Sequence, residues 1–420
     1  VKLKGKHRQN KFNKVALELL QDPHFLDRLA NKFGELGIIG ERRNCLILFL
    51  AGLTRTFDKP VSVLTKGNSS TGKSESVKAV LSLFPPECVL MRASLSKKAP
   101  AHGTDDLKGK ILYIAEYRGA KDALYLTRLL QSEGKIEHEY TTVKGRERGT
   151  VVATRTGSPV IFSTTTERRV FEDDENRFLS IQADDSPELT RQVISAQFRH
   201  PAREAREPET TVWQQAVRIL SKTNPRFVYP RWFDCLAKNI PPDEPRARRD
   251  VVRFLSLLKA VALCQSHSDG RIVEAAPQIE INFADYCVSY RLFSRAFNST
   301  FVGAHPRAIK LARSVSTLHK TLKRPLTVRE IATTLHWEPA LVYKYVKEAQ
   351  SRNLVEYEEG SHVWNRKRLL PGLISGPGFL PPPEFLLQNC KGVGNEGRCI
   401  DPLTGKAVVL RRNRWIGEAE

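Results

Sequence analysis

Gly67-Asn68-Ser69-Ser70-Thr71-Gly72-Lys73-Ser74 fits the phosphate-binding pattern G-x-x-x-x-G-K-[ST]. A strand-like run, Val61-Ser62-Val63-Leu64-Thr65, precedes it, and a helix-like run from Ser74 to Phe84 follows. In a strand-loop-helix unit of this kind, glycines let backbone N–H groups close around a phosphate at a helix N-terminus. Lys73 is then placed to neutralise the terminal phosphates, and the Ser74 hydroxyl to hold Mg²⁺. Gly67, Asn68, Ser69, Ser70, Thr71, Gly72, Lys73 and Ser74 are therefore expected to bind ATP with Mg²⁺. Position 75 is not counted with them, because the residue there is Glu75 and not the threonine that would offer a further hydroxyl.

Downstream, Glu87 to Arg92 reads as a second strand and Lys110-Ile111-Leu112-Tyr113-Ile114-Ala115-Glu116 as a third. An apolar strand ending in an acid fits the second nucleotide motif of P-loop ATPases, with Glu116 facing the γ-phosphate to polarise the attacking water. The competing reading is a surface acid at a strand end. Ala115 stands where these ATPases usually carry a metal-associated aspartate, so water-mediated metal support must come from elsewhere or hydrolysis is slow. Between the second and third strands, Ser94 to Lys108 reads as a polar loop, and Asp122 to Ser132 as a helix.

Two β-rich runs, Ile136 to Lys144 and Thr150 to Arg155, flank Gly145-Arg146-Glu147-Arg148-Gly149 and predict a hairpin. Its tip carries Lys144, Arg146 and Arg148, which suit a phosphodiester backbone, although solubilising charges on an ordinary hairpin read the same way. An apolar strand, Pro159 to Thr164, comes next. Thr164, Thr165 and Thr166 each offer a hydroxyl to orient the attacking water, where asparagine is more usual. In Glu175-Asn176-Arg177-Phe178-Leu179, Arg177 is placed either to spread transition-state charge as an arginine finger or to pair with a neighbouring acid.

Phosphate loop, acid-ended strand, hairpin, threonine-bearing strand and Asn176-Arg177-Phe178, in that order, resemble the AAA+ ATPases, and among them the minichromosome-maintenance (MCM) type of replicative helicase and its relatives in phages and mobile elements. The resemblance covers roughly Gly40 to Phe301. It implies an α/β AAA+ core with a helical lid, in which Pro245-Arg246-Ala247-Arg248-Arg249-Asp250 is similar to the second-sensor helix. Spacing favours Arg246 as the sensor, with Arg248 and Arg249 close by. The final lid helix is expected at about Asn282 to Phe297. By the same resemblance, subunits form a homo-oligomeric, hexameric ring on single-stranded or forked DNA, with a primase or polymerase as a further partner. The DNA-collar domain of cellular MCM proteins requires far more chain, so the resemblance implies a compact mobile-element or phage-type relative. An AAA+ loader or switch whose ATP-bound form recruits a transposase, polymerase or helicase, and which unwinds nothing, is the alternative.

Beyond the lid, Pro306 to Lys323 has helical spacing, and Thr327-Val328-Arg329-Glu330 is a capping box opening a helix to Leu335. A third helix runs to about Arg352, and Leu354 to Tyr357 and His362 to Trp364 read as strands. Three helices with a β-wing predict a winged helix whose third helix turns Lys344, Lys347 and Arg352 to DNA. Acids in the wing (Glu356, Glu358, Glu359) fit a protein-binding winged helix instead. The organisation expected is a basic extension with a helix (1–36), ATPase core (37–200) with its hairpin at 135–157, helical lid (201–303), winged helix (304–370) and a Pro/Gly-containing tail (371–420) that packs on the winged helix.

Composition agrees with this class. The 420 residues carry a formal net charge of +21, which favours a nucleic-acid partner over a membrane, and 40% are hydrophobic, enough for several cores. The longest uncharged apolar run, Asn44 to Thr54, is about half a bilayer span, and no signal peptide is visible at the start. The seven cysteines contain no C-x-x-C pair and read as reduced core residues of a cytoplasmic protein. Cys390 and Cys399 lack the partners a zinc site needs.

Overall fold

A computed structural model describes residues 12–95, 106–120, 123, 129–130, 133–144, 147–167, 170, 175–199, 210–242, 246–272, 278–302, 305–350, 354–358, 368–371, 379–393, 396–411 and 414–417. The chain divides into two units. The first comprises Val1–Leu236, Val251–Leu292 and Pro383–Glu420, the second Ala237–Asp250 and Phe293–Pro382.

The first unit is built on strands β1 (Val63–Lys66), β2 (Val89–Arg92), β3 (Ile111–Ile114), β4 (Lys135–Lys144), β5 (Glu147–Thr156), β6 (Val160–Thr165) and β7 (Leu179–Gln182). Five of them form one sheet in the order β2-β3-β6-β1-β7, with every neighbouring pair parallel. The three central strands are buried along their whole length. Burial on both faces is why β3 is an unbroken apolar run and why β1 and β6 open on consecutive apolar residues, Val63-Leu64 and Val160-Ile161-Phe162, before turning polar at the ends that face the candidate site. β6 lies between β1 and β3, so the chain passes over a strand position that it fills later.

Helices α1 (Phe25–Glu35), α2 (Arg42–Leu53) and α3 (Lys73–Ser82) belong to this unit. Cys45 to Leu53 of α2 are all buried. A Cβ on Gly52 would come within 2.5 Å of the Phe84 ring, so a bare glycine sets how closely α2 packs there. Residues 12–20 are helical too, with Ala16, Leu19 and Leu20 buried. The last residues of the basic extension, Phe12 to Lys14, belong to this helix.

Strands β4 and β5 pair as a separate antiparallel hairpin in register from Lys135 opposite Thr156 to Lys144 opposite Glu147. Glu147, Arg148 and Gly149, expected in the loop, are in the strand. Arg146 lies outside the described residues, as do most of the loop expected at Ser94–Lys108 and most of the helix expected at Asp122–Ser132.

After β7 come helices α4 (Pro187–Arg199), α5 (Thr211–Thr223), α6 (Phe233–Lys238), α7 (Ala247–Ser266) and α8 (Phe283–Val302), with β8 (Arg226–Val228) parallel to β9 (Gln278–Glu280). At the start of α8, Asp285 is fully buried and takes both Arg271 guanidinium nitrogens at 2.7 and 2.9 Å. Burial pushes this carboxyl up while the arginine opposes the shift.

In the second unit, α9 (Pro306–Leu322), α10 (Val328–Leu335) and α11 (Pro339–Gln350) pack with β10 (Leu326–Thr327), β11 (Val355–Tyr357) and β12 (Arg368–Pro371). The sheet order is β10-β12-β11, antiparallel throughout. The Thr327–Glu330 capping box is present at the start of α10. The strand expected at His362–Trp364 lies outside the described residues, and the strand found opposite β11 is Arg368–Pro371.

The expected tail is folded. Pro383 opens helix α12 (Pro383–Asn389), as proline suits a first helical position. Strands β13 (Glu396–Ile400), β14 (Ala407–Arg411) and β15 (Arg414–Gly417) then form an antiparallel sheet. This segment belongs to the first unit rather than to the 306–371 region. Arg291 on α8 pairs with Asp401 at 3.0 Å, and Arg42 donates to the Leu403 carbonyl oxygen. Cys235 and Cys390 form a disulfide, which corrects the expectation of seven reduced thiols. Among the described residues, no helix is long and apolar enough to cross a membrane.

Candidate nucleotide site

The loop leaving β1 takes two left-handed backbone positions, Ser70 (φ 65°) and Gly72 (φ 74°), before α3 begins at Lys73. Gly72 is suited to that conformation because it has no Cβ. At Gly67 a Cβ would sit 3.0 Å from both Ala183 Cβ and Thr71 Oγ1, so a side chain there would crowd the turn. Lys73 is buried, and its ammonium donates to the carbonyl oxygens of Gly67 (3.0 Å) and Asn68 (2.5 Å). Burial pushes its pKa down. The ammonium also donates to the Thr71 hydroxyl at 3.3 Å. A desolvated ammonium held by neutral loop oxygens gains from an anion brought beside it, so these residues fit a nucleotide phosphate. Asn68, Ser69 and Ser70 are exposed, and Ser74 is half-buried in the first turn of α3, where a Mg²⁺ ligand belongs. Position 75 holds glutamate and not threonine, so the loop's hydroxyl series ends at Ser74. Glu75 is exposed and pairs with Lys78 one turn along α3 at 2.9 Å, an ordinary surface pair on the helix.

Sheet register brings the other candidates to the same edge. Lys66 stands level with Thr165, and Ile114 with Ser163. With strands about 4.8 Å apart, the end of β3 lies roughly 10 Å from the end of β1, and β6 stands between them. The Thr164 hydroxyl donates to the Ala115 carbonyl oxygen over 2.6 Å. Glu116 follows as an exposed residue at the sheet edge. Arg118 ties the next turn to Glu167 beyond β6 at 2.6 Å.

A carboxylate that the sequence did not single out supports this edge. Glu41 is buried and accepts from the Asp184 amide (2.6 Å) and the Asn44 side chain (2.5 Å). Burial pushes it up, opposed by those two donors. Asn44 also donates to the Gln182 carbonyl (2.8 Å), and the Ala183 amide to Lys66 O (2.8 Å). The end of β7 is thereby fixed beside the loop.

Arg177 is half-buried in the turn before β7. The first residue of β7, Leu179, stands level with Val63, at the other end of β1 from the phosphate loop. Lys66 ion-pairs with Glu175, and Arg253 donates to the Asn176 carbonyl oxygen. Neither partner carried a local sequence signal, since the pairs are 109 and 77 residues apart in the chain.

The MTBMA_p00010 P-loop domain matches residues 10–222, just over half of the chain. The chain belongs to this family. A search of curated proteins found no match. The match to the MTBMA_p00010 P-loop domain takes in the loop, Glu116, the hairpin and Arg177, and it agrees with a largely parallel sheet carrying the loop at a strand end.

Arg246 and the 306–371 region fall beyond the matched part. Arg246 pairs with the buried Asp250 at 3.1 Å at the start of α7. On α11, Val342, Tyr345, Val346 and Ala349 are buried, while Tyr343, Lys344 and Lys347 are exposed. Arg352 lies outside the described residues. In the hairpin, Lys144 and Arg148 take strand positions opposite Glu147 and Val143.

Proposed function

We propose that the chain is an AAA+-type ATPase of the MCM-like kind that moves as a ring along single-stranded or forked DNA in replication of a mobile element or phage. The observation that carries this reading is the strand order. It puts Thr164 between the phosphate loop and Glu116, with the β4–β5 hairpin inserted just before the strand that carries Thr164. A strand filling that place supplies a polar residue between nucleotide and general base.

In this reading Lys73 and the loop amides hold the ATP phosphates, and Ser74 holds Mg²⁺, which neutralises developing phosphate charge. Glu116 takes a proton from water as it attacks the γ-phosphate, and the bond to the ADP oxygen breaks. Arg177, before the strand end opposite the loop, serves the nucleotide of a neighbouring subunit, with Arg246 as the lid's contribution. The hairpin residues Lys144, Arg146 and Arg148 contact the DNA backbone. The 306–371 region acts as a winged helix, presenting Lys344, Lys347 and Arg352.

A loader or switch that recruits a transposase or replication protein without unwinding is the second reading. It is favoured by Ala115 and by a Thr164 proton already bonded to backbone, both of which suit slow hydrolysis. Strand displacement on forked DNA with ATP separates the two, comparing the intact chain with Glu116→Gln and Lys73→Ala. Displacement lost in both variants supports the motor; ATP and DNA binding without displacement by the assembled wild type supports the loader.

A further inference from the structure

The turn carrying Arg177 is held from two sides, and one of the holders adjoins the phosphate loop. Lys66 is the last residue of β1 and the immediate neighbour of Gly67. Its side chain is only 5% exposed and its partner is Glu175, two residues before Arg177. Side chains alternate along a strand, so Lys66 and Leu64 share one face of the sheet. Phe178 packs on that face with Leu64, Ile114 and Tyr117. The turn is thus fixed over β1 by an apolar contact on one side of Arg177 and an ion pair on the other. The second holder is Arg253 on α7, through the Asn176 carbonyl oxygen.

A lysine just before a phosphate loop adds positive charge close to the nucleotide, yet here the charge is spent on a carboxylate of the Arg177 turn. We infer that Lys66, through Glu175, is a positioning residue that makes the placement of Arg177 depend on the state of the phosphate loop, while Arg253 holds the same turn from α7 through the Asn176 carbonyl oxygen. This rests on the ATPase reading and extends it. A subunit whose loop holds nucleotide presents its arginine differently from one whose loop does not, so neighbouring sites fire in concert. Any displacement of Gly67 passes along the chain to Lys66, and from Lys66 across the ion pair to Glu175.

The test is hydrogen exchange of the peptide spanning 175–182 in the full chain, with and without Mg²⁺ and a non-hydrolysable ATP analogue. Lys66→Met, Lys66→Arg and Glu175→Gln are compared with wild type. Lys66→Met removes the buried charge and leaves Glu175, which is 26% exposed, able to take up water. The wild type is expected to change its exchange in this peptide by about fivefold or more on binding, a range that local opening readily spans. Lys66→Met should bind the analogue equally well and lose that response, and Lys66→Arg should keep it. In steady state, Lys66→Met should lower kcat about tenfold at unchanged nucleotide affinity and bring the Hill coefficient to about one.

A wild-type peptide that ignores the analogue overturns the inference, as does a Lys66→Met chain that responds like wild type. A parallel fall in nucleotide affinity overturns it too, since Lys66 would then serve the loop directly. If Lys66→Met does not fold, Glu175→Gln breaks the same ion pair from its more exposed side and carries the same comparison. A wild type that responds in exchange but never hydrolyses ATP removes the ATPase reading and leaves the mechanical link standing.

Discussion

The Thr164 hydroxyl donates to the carbonyl oxygen of Ala115, joining the strand after the hairpin to the residue before Glu116. Its proton is committed to backbone, so only its lone pairs remain to accept from a water. Thr164→Val should therefore leave nucleotide affinity unchanged, lower ATP turnover about tenfold, and cost about 1 kcal/mol of stability for the lost bond. Thr164→Ser should restore turnover. Paired nucleotide titrations and turnover measurements decide it, and wild-type turnover in the valine variant would remove Thr164 from the site.

Lys73 gives a prediction that needs no turnover. A ligand that binds only the folded state stabilises it by about 2.7 kcal/mol at one hundred times Kd. Wild type should show that gain as a rise in melting temperature with Mg²⁺-ATP, and Lys73→Ala should show none at the same concentration. A variant that still responds would mean the nucleotide is held elsewhere.

Local signals were legible in the sequence, and distant ones were not. The phosphate loop, the apolar central strands and the Thr327–Glu330 box each depend on residues a few places apart, so pattern and spacing suffice. Two β-rich runs around a glycine-bounded segment marked the hairpin, though Glu147 to Gly149 looked like a loop because glycines bracket a charged run. Strands β13 and β14 were missed because Pro381-Pro382-Pro383 and the scattered glycines mask a sheet whose partners, such as Arg291, lie over a hundred residues upstream. Glu41, Lys66 and Arg253 escaped for the same reason: nothing near a residue in sequence announces a partner brought to it by the fold.

The foot of the hairpin turns on Gly157. Its φ is 103°, its amide donates to the Gly134 carbonyl oxygen at 2.9 Å, and a Cβ there would come within 2.6 Å of the Lys108 backbone nitrogen. Both the backbone strain and the clash fall on backbone atoms that cannot rotate away. Gly157→Ala should cost about 1–3 kcal/mol locally, seen as faster exchange in β4 and β5 with α2 unchanged. If the hairpin grips DNA, DNA affinity should fall while nucleotide affinity holds.

In the second unit, the Arg324 side chain and then the Thr327 amide hold Glu330 down to about 2, below its ordinary 4.5. The folded value is depressed, so the carboxylate's contribution is complete above the ordinary value and is lost as pH falls through about 2. Exchange of the α10 amides should therefore accelerate between those limits. Glu330→Gln should flatten that dependence and weaken the helix start by about 1 kcal/mol at neutral pH. An unchanged acid profile in the variant would assign the loss to another group.

The Cys235–Cys390 disulfide spans 155 residues and ties the C-terminal segment to α6. Closing so long a loop restricts the unfolded chain by about 5 kcal/mol in the entropic model, an upper figure because unfolded chains keep residual structure. The folded side has other holds on the same segment: Arg291 pairs with Asp401 at 3.0 Å, and Arg42 donates to the Leu403 carbonyl oxygen at 3.4 Å. Reduction should therefore lower the melting temperature and expose the 383–420 segment to protease without unfolding the parallel sheet. Cys235→Ser and Cys390→Ser should each reproduce this with no further effect of reductant. Nucleotide affinity should stay within about twofold of wild type, because sites far apart with no shared partner act independently. A non-reducing digest lacking the linked 235–390 peptide would show the two thiols merely adjacent, and the segment's stability would then rest on non-covalent contacts, among them the Arg291–Asp401 pair and the buried residues of α12 and β14.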